Sequence, residues 1–341
     1  GWPLLLAAAV RVGLPGESLW RLTGVLGGVL SALVAVSAWL AVATLTTRPG
    51  RGDRLGAAAG AAAGLVWALA PLPVFQGQTV LSDEPCLLVS WLGLMLLVAG
   101  CRDADPERRG WRRWGLLAAS GVLFGVAASV RFVAAALLAP AVVVVVSGAV
   151  SGPGRGRRLG SRLAAVAGGV AIATAAVAGL SGQAPWSWSR YDYWTPRWYA
   201  DLGDTFRLDY ALAGNPGYTL PRGVEPFSHL GFAAEVLLGL PGRPAMSSLG
   251  RWWPILGWLG LGWAAWRLSR SGRPAERSCG RVAAALVAWS AGHVVLYSMY
   301  FCAYPRFYLG PLVACLLGLV VPVALWAGSG ARWRWGAAAA A

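Results

Sequence analysis

The chain of 341 residues is 57% hydrophobic and only 13% charged, with 20 tryptophans and a mean hydropathy of +0.57. A water-soluble protein of that composition would expose large apolar patches and aggregate, so a soluble globular domain is excluded and a bilayer is the expected solvent. The net charge of +15 comes from 29 basic residues that are all arginine, and their positions decide whether that charge reports an acidic partner or membrane topology.

Apolar runs of roughly 17 to 25 residues mark spanning helices. The sequence predicts about nine transmembrane helices, near 18–47, 55–76, 85–101, 114–130, 132–150, 163–181, 251–267, 282–300 and 308–328. Residues 2–13, opening Trp2-Pro3-Leu4-Leu5-Leu6, are too short to cross and read as an interfacial helix or the end of an outer loop. Placing the links 48–54, 102–113, 151–162 and 267–281 and the tail after 328 on the cytoplasmic side collects 3, 5, 4, 5 and 2 arginines, 19 of the 29. The remainder are spread mostly through one long loop, whose translocation depends little on charge. The basic charge is therefore mainly a topology signal, with contact to anionic membrane lipids as a secondary consequence and no nucleic-acid partner expected. An odd number of spans with a cytoplasmic C-terminus places Gly1 outside with nothing ahead of it to carry it across. The chain starts with Gly and shows no signal-peptide pattern, so a missing N-terminal segment with at least one more span is expected.

Three regions follow: an N-terminal transmembrane region, 1–181; an external aromatic-rich loop, 182–250; and a C-terminal transmembrane region with a cytoplasmic tail, 251–341. In the first, Thr79-Val80-Leu81-Ser82-Asp83-Glu84-Pro85 sets two adjacent carboxylates at the mouth of two apolar runs. Carboxylates are costly near hydrocarbon, so Asp83 and Glu84 are candidate site residues, with a solvated loop as the plain alternative. Arg131 follows one apolar run and precedes another, which puts it at the outer interface, where it binds phosphate or merely snorkels.

The long loop carries Trp186, Trp188, Tyr191, Tyr193, Trp194, Trp198 and Tyr199, interleaved with Arg190, Asp192, Arg197 and Asp201. Such rings suit both a headgroup belt and stacking on sugar faces. Its Pro216, Pro221 and Pro226 argue for an irregular course, with a short amphipathic helix over 232–240. Long loops in compact proteins are usually functional.

Cys86, Cys101, Cys279, Cys302 and Cys315 have no CxxC or Cys/His spacing and read as small buried hydrophobes. His229 has no HxH or HExxH company, and His293, inside the eighth run, reads first as a helix–helix hydrogen-bonding residue. No metal ligand set can be named, although a divalent metal is one of the roles open to Asp83. No Gly-rich phosphate loop follows a strand, which disfavours a nucleotide bound in a Rossmann domain.

The order of these segments resembles the GT-C membrane glycosyltransferases. It is similar to the branch of protein O-mannosyltransferases and lipid A aminoarabinose transferases, through the Pro-Leu-Leu-Leu opening, Pro71-Leu72-Pro73, Thr79 to Pro85, and Gly121 to Arg131. Tyr304-Pro305-Arg306-Phe307-Tyr308-Leu309-Gly310-Pro311 is similar to that branch's Arg-Tyr-Leu-x-Pro start of a late span. The resemblance covers most of the chain; each motif alone is weak and their order carries the weight.

The resemblance implies an all-α, GT-C-like polytopic protein of the cytoplasmic membrane with its active site on the external face. It implies transfer of a sugar, with inversion, from a polyprenyl-phosphate donor to a protein, glycan or lipid acceptor. Such chemistry needs a carboxylate to take the acceptor proton and positive charge or a metal on the departing phosphate. By the resemblance, Asp83 matches the second acidic position, with Glu84 its neighbour, while the principal acidic residue belongs to a first outer loop upstream of Gly1. Arg306, with Tyr304 and Tyr308, is the expected phosphate contact at the outer start of the last span, or an interfacial anchor; Arg131 is a second candidate. The rival class is a transporter of a lipid-linked or small polar substrate, which would show internal repeats and mid-bilayer coupling residues. Here no repeat is evident and the ionisable residues collect at the interface.

Overall fold

The computed structural model describes residues 11–13, 16–45, 51–69, 83–101, 110–147, 155–182, 253–298 and 308–328. Among the described residues it is all-helical, with α1 (Gly16–Leu45), α2 (Arg51–Leu69), α3 (Asp83–Cys101), α4 (Gly110–Val130), α5 (Leu138–Ser147), α6 (Arg155–Ser181), α7 (Trp253–Ser269), α8 (Pro274–Ser298) and α9 (Leu309–Gly328). Each falls on one of the predicted apolar runs. Five of them, α1, α4, α6, α8 and α9, are long and apolar enough to cross a membrane, and α2 and α3 are apolar but shorter. The architecture is that of a multi-pass helical membrane protein, with five such helices among the described residues in place of the nine complete spans expected.

The run expected over 132–150 shows why. It opens as a 3-10 turn, Phe132–Leu137, and becomes α-helical only over ten residues, Leu138–Ser147. Pro140 has no N–H to offer the carbonyl of Ala136, so a helix continuous from 132 would lose a rung there. A proline in the first turn of a fresh helix costs nothing.

Helices α3 and α4 form an antiparallel hairpin pinned at three heights. The Cys86 thiol donates to the Ala127 carbonyl at 3.7 Å, the Ser120 hydroxyl to the Gly93 carbonyl at 2.8 Å, and Arg113 Nε to the Gly100 carbonyl at 3.1 Å. Buried polar groups in an apolar medium must find such partners, and here each bridges the two helices. Arg113 and Gly100 thus lie at the opposite end of the hairpin from Asp83 and Arg131.

Elsewhere glycine faces set the spacing. Gly56, Gly60 and Gly64 of α2, four residues apart, lie against Trp39, Ala35 and Ser31 of α1. Gly121 and Gly125 of α4 meet Val166, Gly169, Val170 and Ala173 of α6, and Gly257 and Gly260 of α7 meet Cys315 and Gly318 of α9. In hydrocarbon no hydrophobic effect drives helices together, so backbones close enough for extensive dispersion contact do that work, and only a missing Cβ allows it. Helix α9 lies deepest, with Tyr308 through Leu317 buried, whereas α6 is the most exposed of the five long apolar helices. Helix α6 ends where Gly182 adopts φ 64°, a left-handed cap that glycine takes without strain. The expected external loop from 183 onward lies outside the described residues.

Candidate functional site

Four helix ends and one turn meet at the Asp83 end of the bundle. Helix α3 begins with Asp83 and Glu84, of which the backbone alone is described. Three residues in, Cys86 touches the last turn of α4 through Ala127. The Arg131 N–H donates to that same Ala127 carbonyl at 2.9 Å, while the Arg131 carbonyl accepts from Ala134 N at 3.0 Å. Arg131 therefore closes one helix and opens the 3-10 turn, which fixes its backbone; its side chain is half-buried. The contact between Cys86 and Ala127 brings the start of α3 and the Arg131 junction together. Ser82-Asp83-Glu84-Pro85 is also a good helix start, since carboxylates favour the positive end of the helix dipole and proline suits the first turn.

From α8 the same end receives Trp289, His293 and Tyr297, which recur every four residues and so share one face. With Trp91 of α3 and Tyr308, immediately before α9, they form a contiguous run of rings. Trp91 and Trp289 are 5.7 Å apart, Trp289 and His293 5.2 Å in an edge-on arrangement, His293 and Tyr297 6.1 Å, and Tyr297 and Tyr308 6.1 Å. All five are buried. Trp91 is tied to α1 by its indole N–H, which donates to Ser37 Oγ at 3.0 Å.

His293 Nδ1 lies 3.1 Å from the Trp289 carbonyl. A carbonyl can only accept, so Nδ1 carries a proton and donates it. Among the described residues, the hydrogen bond of His293 is to its own helix. Nε2 faces Gly310, at 3.5 Å from where a Cβ would stand there, and glycine at that place lets α9 approach the ring. Arg131 is near enough for its charge to act on His293, and Gly292 of α8 packs on Ala136 of the turn that Arg131 opens. This proximity could not be read from the sequence, where 162 positions separate the two residues. The four-residue spacing of Trp289, His293 and Tyr297 was the available signal for the aromatic face.

Tyr308, expected as a lipid-phosphate contact, is fully buried against Tyr297 at the head of α9. Tyr304 and Arg306 lie outside the described residues, as do His229 and the aromatic loop. Among the described residues no three His, Cys, Asp or Glu side chains gather as a metal site would need. The arrangement brings a half-buried arginine, where low dielectric strengthens an anion contact, to the same end of the bundle as the start of α3 and a wall of aromatic rings.

No family model and no curated protein matches the sequence. The structure is similar to two crystal structures of ArnT from Cupriavidus metallidurans. The one bound to undecaprenyl phosphate aligns with a TM-score of 0.49 at 21% identity, over 93% of this chain and 48% of that chain. The apo structure aligns with a TM-score of 0.46 at 18% identity, over 93% and 47%. The chain spans about half the length of these structures.

Proposed function

We propose that the intact protein is a GT-C-type glycosyltransferase that moves a sugar from a polyprenyl-phosphate donor to an acceptor hydroxyl at the outer face of the cytoplasmic membrane. The observation that carries this reading is the meeting of the Asp83–Glu84 helix start with the Arg131 junction at one end of the bundle. Transfer with inversion breaks the bond between the anomeric carbon and the phosphate oxygen while the acceptor oxygen attacks from the opposite face. The acceptor proton passes to a carboxylate, and the electron pair leaves with the lipid phosphate. Arg131 stands where it holds that phosphate by a planar fork of N–H donors, and Arg306 is a second donor of the same kind. Asp83 orients the acceptor, with Glu84 beside it. Each of these groups works best where water is scarce and the dipoles are fixed in advance.

The test uses full-length protein in membranes supplied with a radiolabelled polyprenyl-phosphate sugar. Asp83→Asn keeps the shape and removes the charge, and Arg131→Gln removes the fork. Each is expected to lower transfer by at least about tenfold, which corresponds to ~1.4 kcal/mol of transition-state stabilisation. Unchanged turnover in both variants, correctly inserted, would sink the assignment.

A further inference from the structure

Along α7, toward the arginine-rich end of the bundle, runs one stripe of graded chemistry that has no partner among the described residues. Leu256, Leu259, Trp263 and Trp266 are exposed, as are Arg267 and Arg270. Their spacing puts all six on a single face, opposite the face that buries Gly257, Leu261, Ala264 and Leu268 against the bundle. From Leu256 to Trp266 the helix rises about 15 Å, the hydrocarbon depth of one leaflet, and Arg270 stands roughly 6 Å further on. Aliphatic, aromatic and cationic side chains thus follow the order of a lipid's acyl chain, glycerol region and phosphate.

The two arginines are held ready for an anion. Arg267 stacks on the Trp263 ring, with its Cζ 5.4 Å from the centroid, and Arg270 on the Trp266 ring at 4.7 Å. A guanidinium lying on a ring face keeps its edge N–H groups pointed outward. Among the described residues neither forms a hydrogen bond or a salt bridge. The nearby carboxylate, Glu276, forms its hydrogen bonds within the turn into α8, where Arg273 Nη1 donates to it at 3.0 Å and the Ser271 hydroxyl at 2.5 Å; Arg267 acts on it through charge alone.

We propose that this face of α7 is a binding site for one anionic phospholipid, its acyl chain along Leu256 and Leu259 and its phosphate held between Arg267 and Arg270. The segment 267–281 carries five arginines and one glutamate, so a second copy of the same face would meet it with like charge, whereas a lipid phosphate neutralises it. Indole rings at the boundary fix the depth at which the headgroup sits. The phosphate end of the site, at Arg267 and Arg270, lies at the far end of the bundle from Asp83, and the site is independent of the glycosyl-transfer reading.

The experiment loads the purified full chain, in a neutral detergent, with dioleoyl phosphatidylglycerol or dioleoyl phosphatidylcholine and counts retained lipid by native mass spectrometry. Wild-type protein is expected to retain phosphatidylglycerol in preference. The Arg267→Gln/Arg270→Gln double variant should lose that preference, with phosphatidylglycerol affinity lowered on the order of tenfold or more and phosphatidylcholine retention unchanged. Arg267→Lys/Arg270→Lys, which keeps charge and loses the fork, should fall between. Equal retention of the two lipids by the wild type overturns the site, whether or not the variants fold. So does full phosphatidylglycerol preference in the folded double variant, or a wild-type dimer that those substitutions dissociate.

Discussion

Trp289 concentrates the packing of the Asp83 end in one side chain. It is fully buried, stacks on Trp91, meets the edge of His293 and lends its carbonyl to that ring. Among the described residues its own indole N–H has no hydrogen-bond partner, so there the side chain contributes by shape and dispersion. Trp289→Ala leaves a cavity between two aromatic neighbours and should cost about 3–5 kcal/mol. Trp289→Phe keeps most of the ring contact and removes the unsatisfied donor, so it should cost less than about 1.5 kcal/mol. Melting of both variants in one detergent tests this, and equal losses would show that the indole N–H matters after all. Legibility at this scale was uneven. Asp83, Glu84 and Arg131 stand out because charge beside hydrocarbon is expensive, and the contact of Cys86 with Ala127 brings their segments together. Trp289 and Tyr297 do not, because an aromatic face on an apolar helix looks like any other buried face until its neighbours are known. Tyr308 lies two residues from Arg306 in sequence and packs its ring on Tyr297, a contact that sequence spacing does not reveal.

Helices in this chain are specified twice, once by apolar length and once by where glycine falls. The first signal was plain in the sequence, and all nine described helices lie on the expected runs. It fixed boundaries poorly where a proline or a short run intervened, as at the turn before α5, because hydropathy does not register a lost backbone rung. The second signal lies in spacing: Gly56, Gly60 and Gly64 at four-residue intervals mark the face of α2 that meets α1. With 46 glycines in the chain, spacing alone cannot tell a packing glycine from an idle one. A matched pair separates them. Around Gly262 of α7 an added Cβ meets nothing within 4 Å, whereas at Gly318 of α9 it would overlap the Gly257 carbonyl. Gly262→Ala should be neutral or gain up to about 1 kcal/mol from helix propensity. Gly318→Ala must push α7 and α9 apart and should lose about 1–3 kcal/mol despite the same propensity gain. Thermal unfolding of the two variants decides it, and melting changes of the same sign and size would mean that α7 and α9 do not pack through their glycines.

At the scale of the whole molecule, helix direction and charge agree. The start of α4, through Arg113 and Gly100, lies at the end of the bundle where α3 finishes. Gly121 and Gly125 meet α6 in rising order, as do Gly257 and Gly260 with α9, so each of these pairs runs parallel. Parallel neighbours in a membrane need an intervening crossing: the 3-10 turn and α5 together, 132–147, run between α4 and α6, and α8 runs between α7 and α9. Arg157 and Arg158 at the start of α6 therefore share an end with Arg113, and α7 finishes where α8 starts, amid Arg267, Arg270, Arg273 and Arg277. We infer that this end is cytoplasmic, because arginine next to spanning helices resists translocation and short links obey that bias most strictly. The alternative orientation would carry the arginine-dense links across the membrane and leave Asp83 and Arg131 on the cytoplasmic side. Reporter fusions after residues 105, 156 and 274 should accordingly read cytoplasmic, and one near 215 external. A cytoplasmic reading at 215 would invert the protein, move the Asp83 end to the wrong face for an extracytoplasmic acceptor, and place the α7 lipid stripe in the outer leaflet.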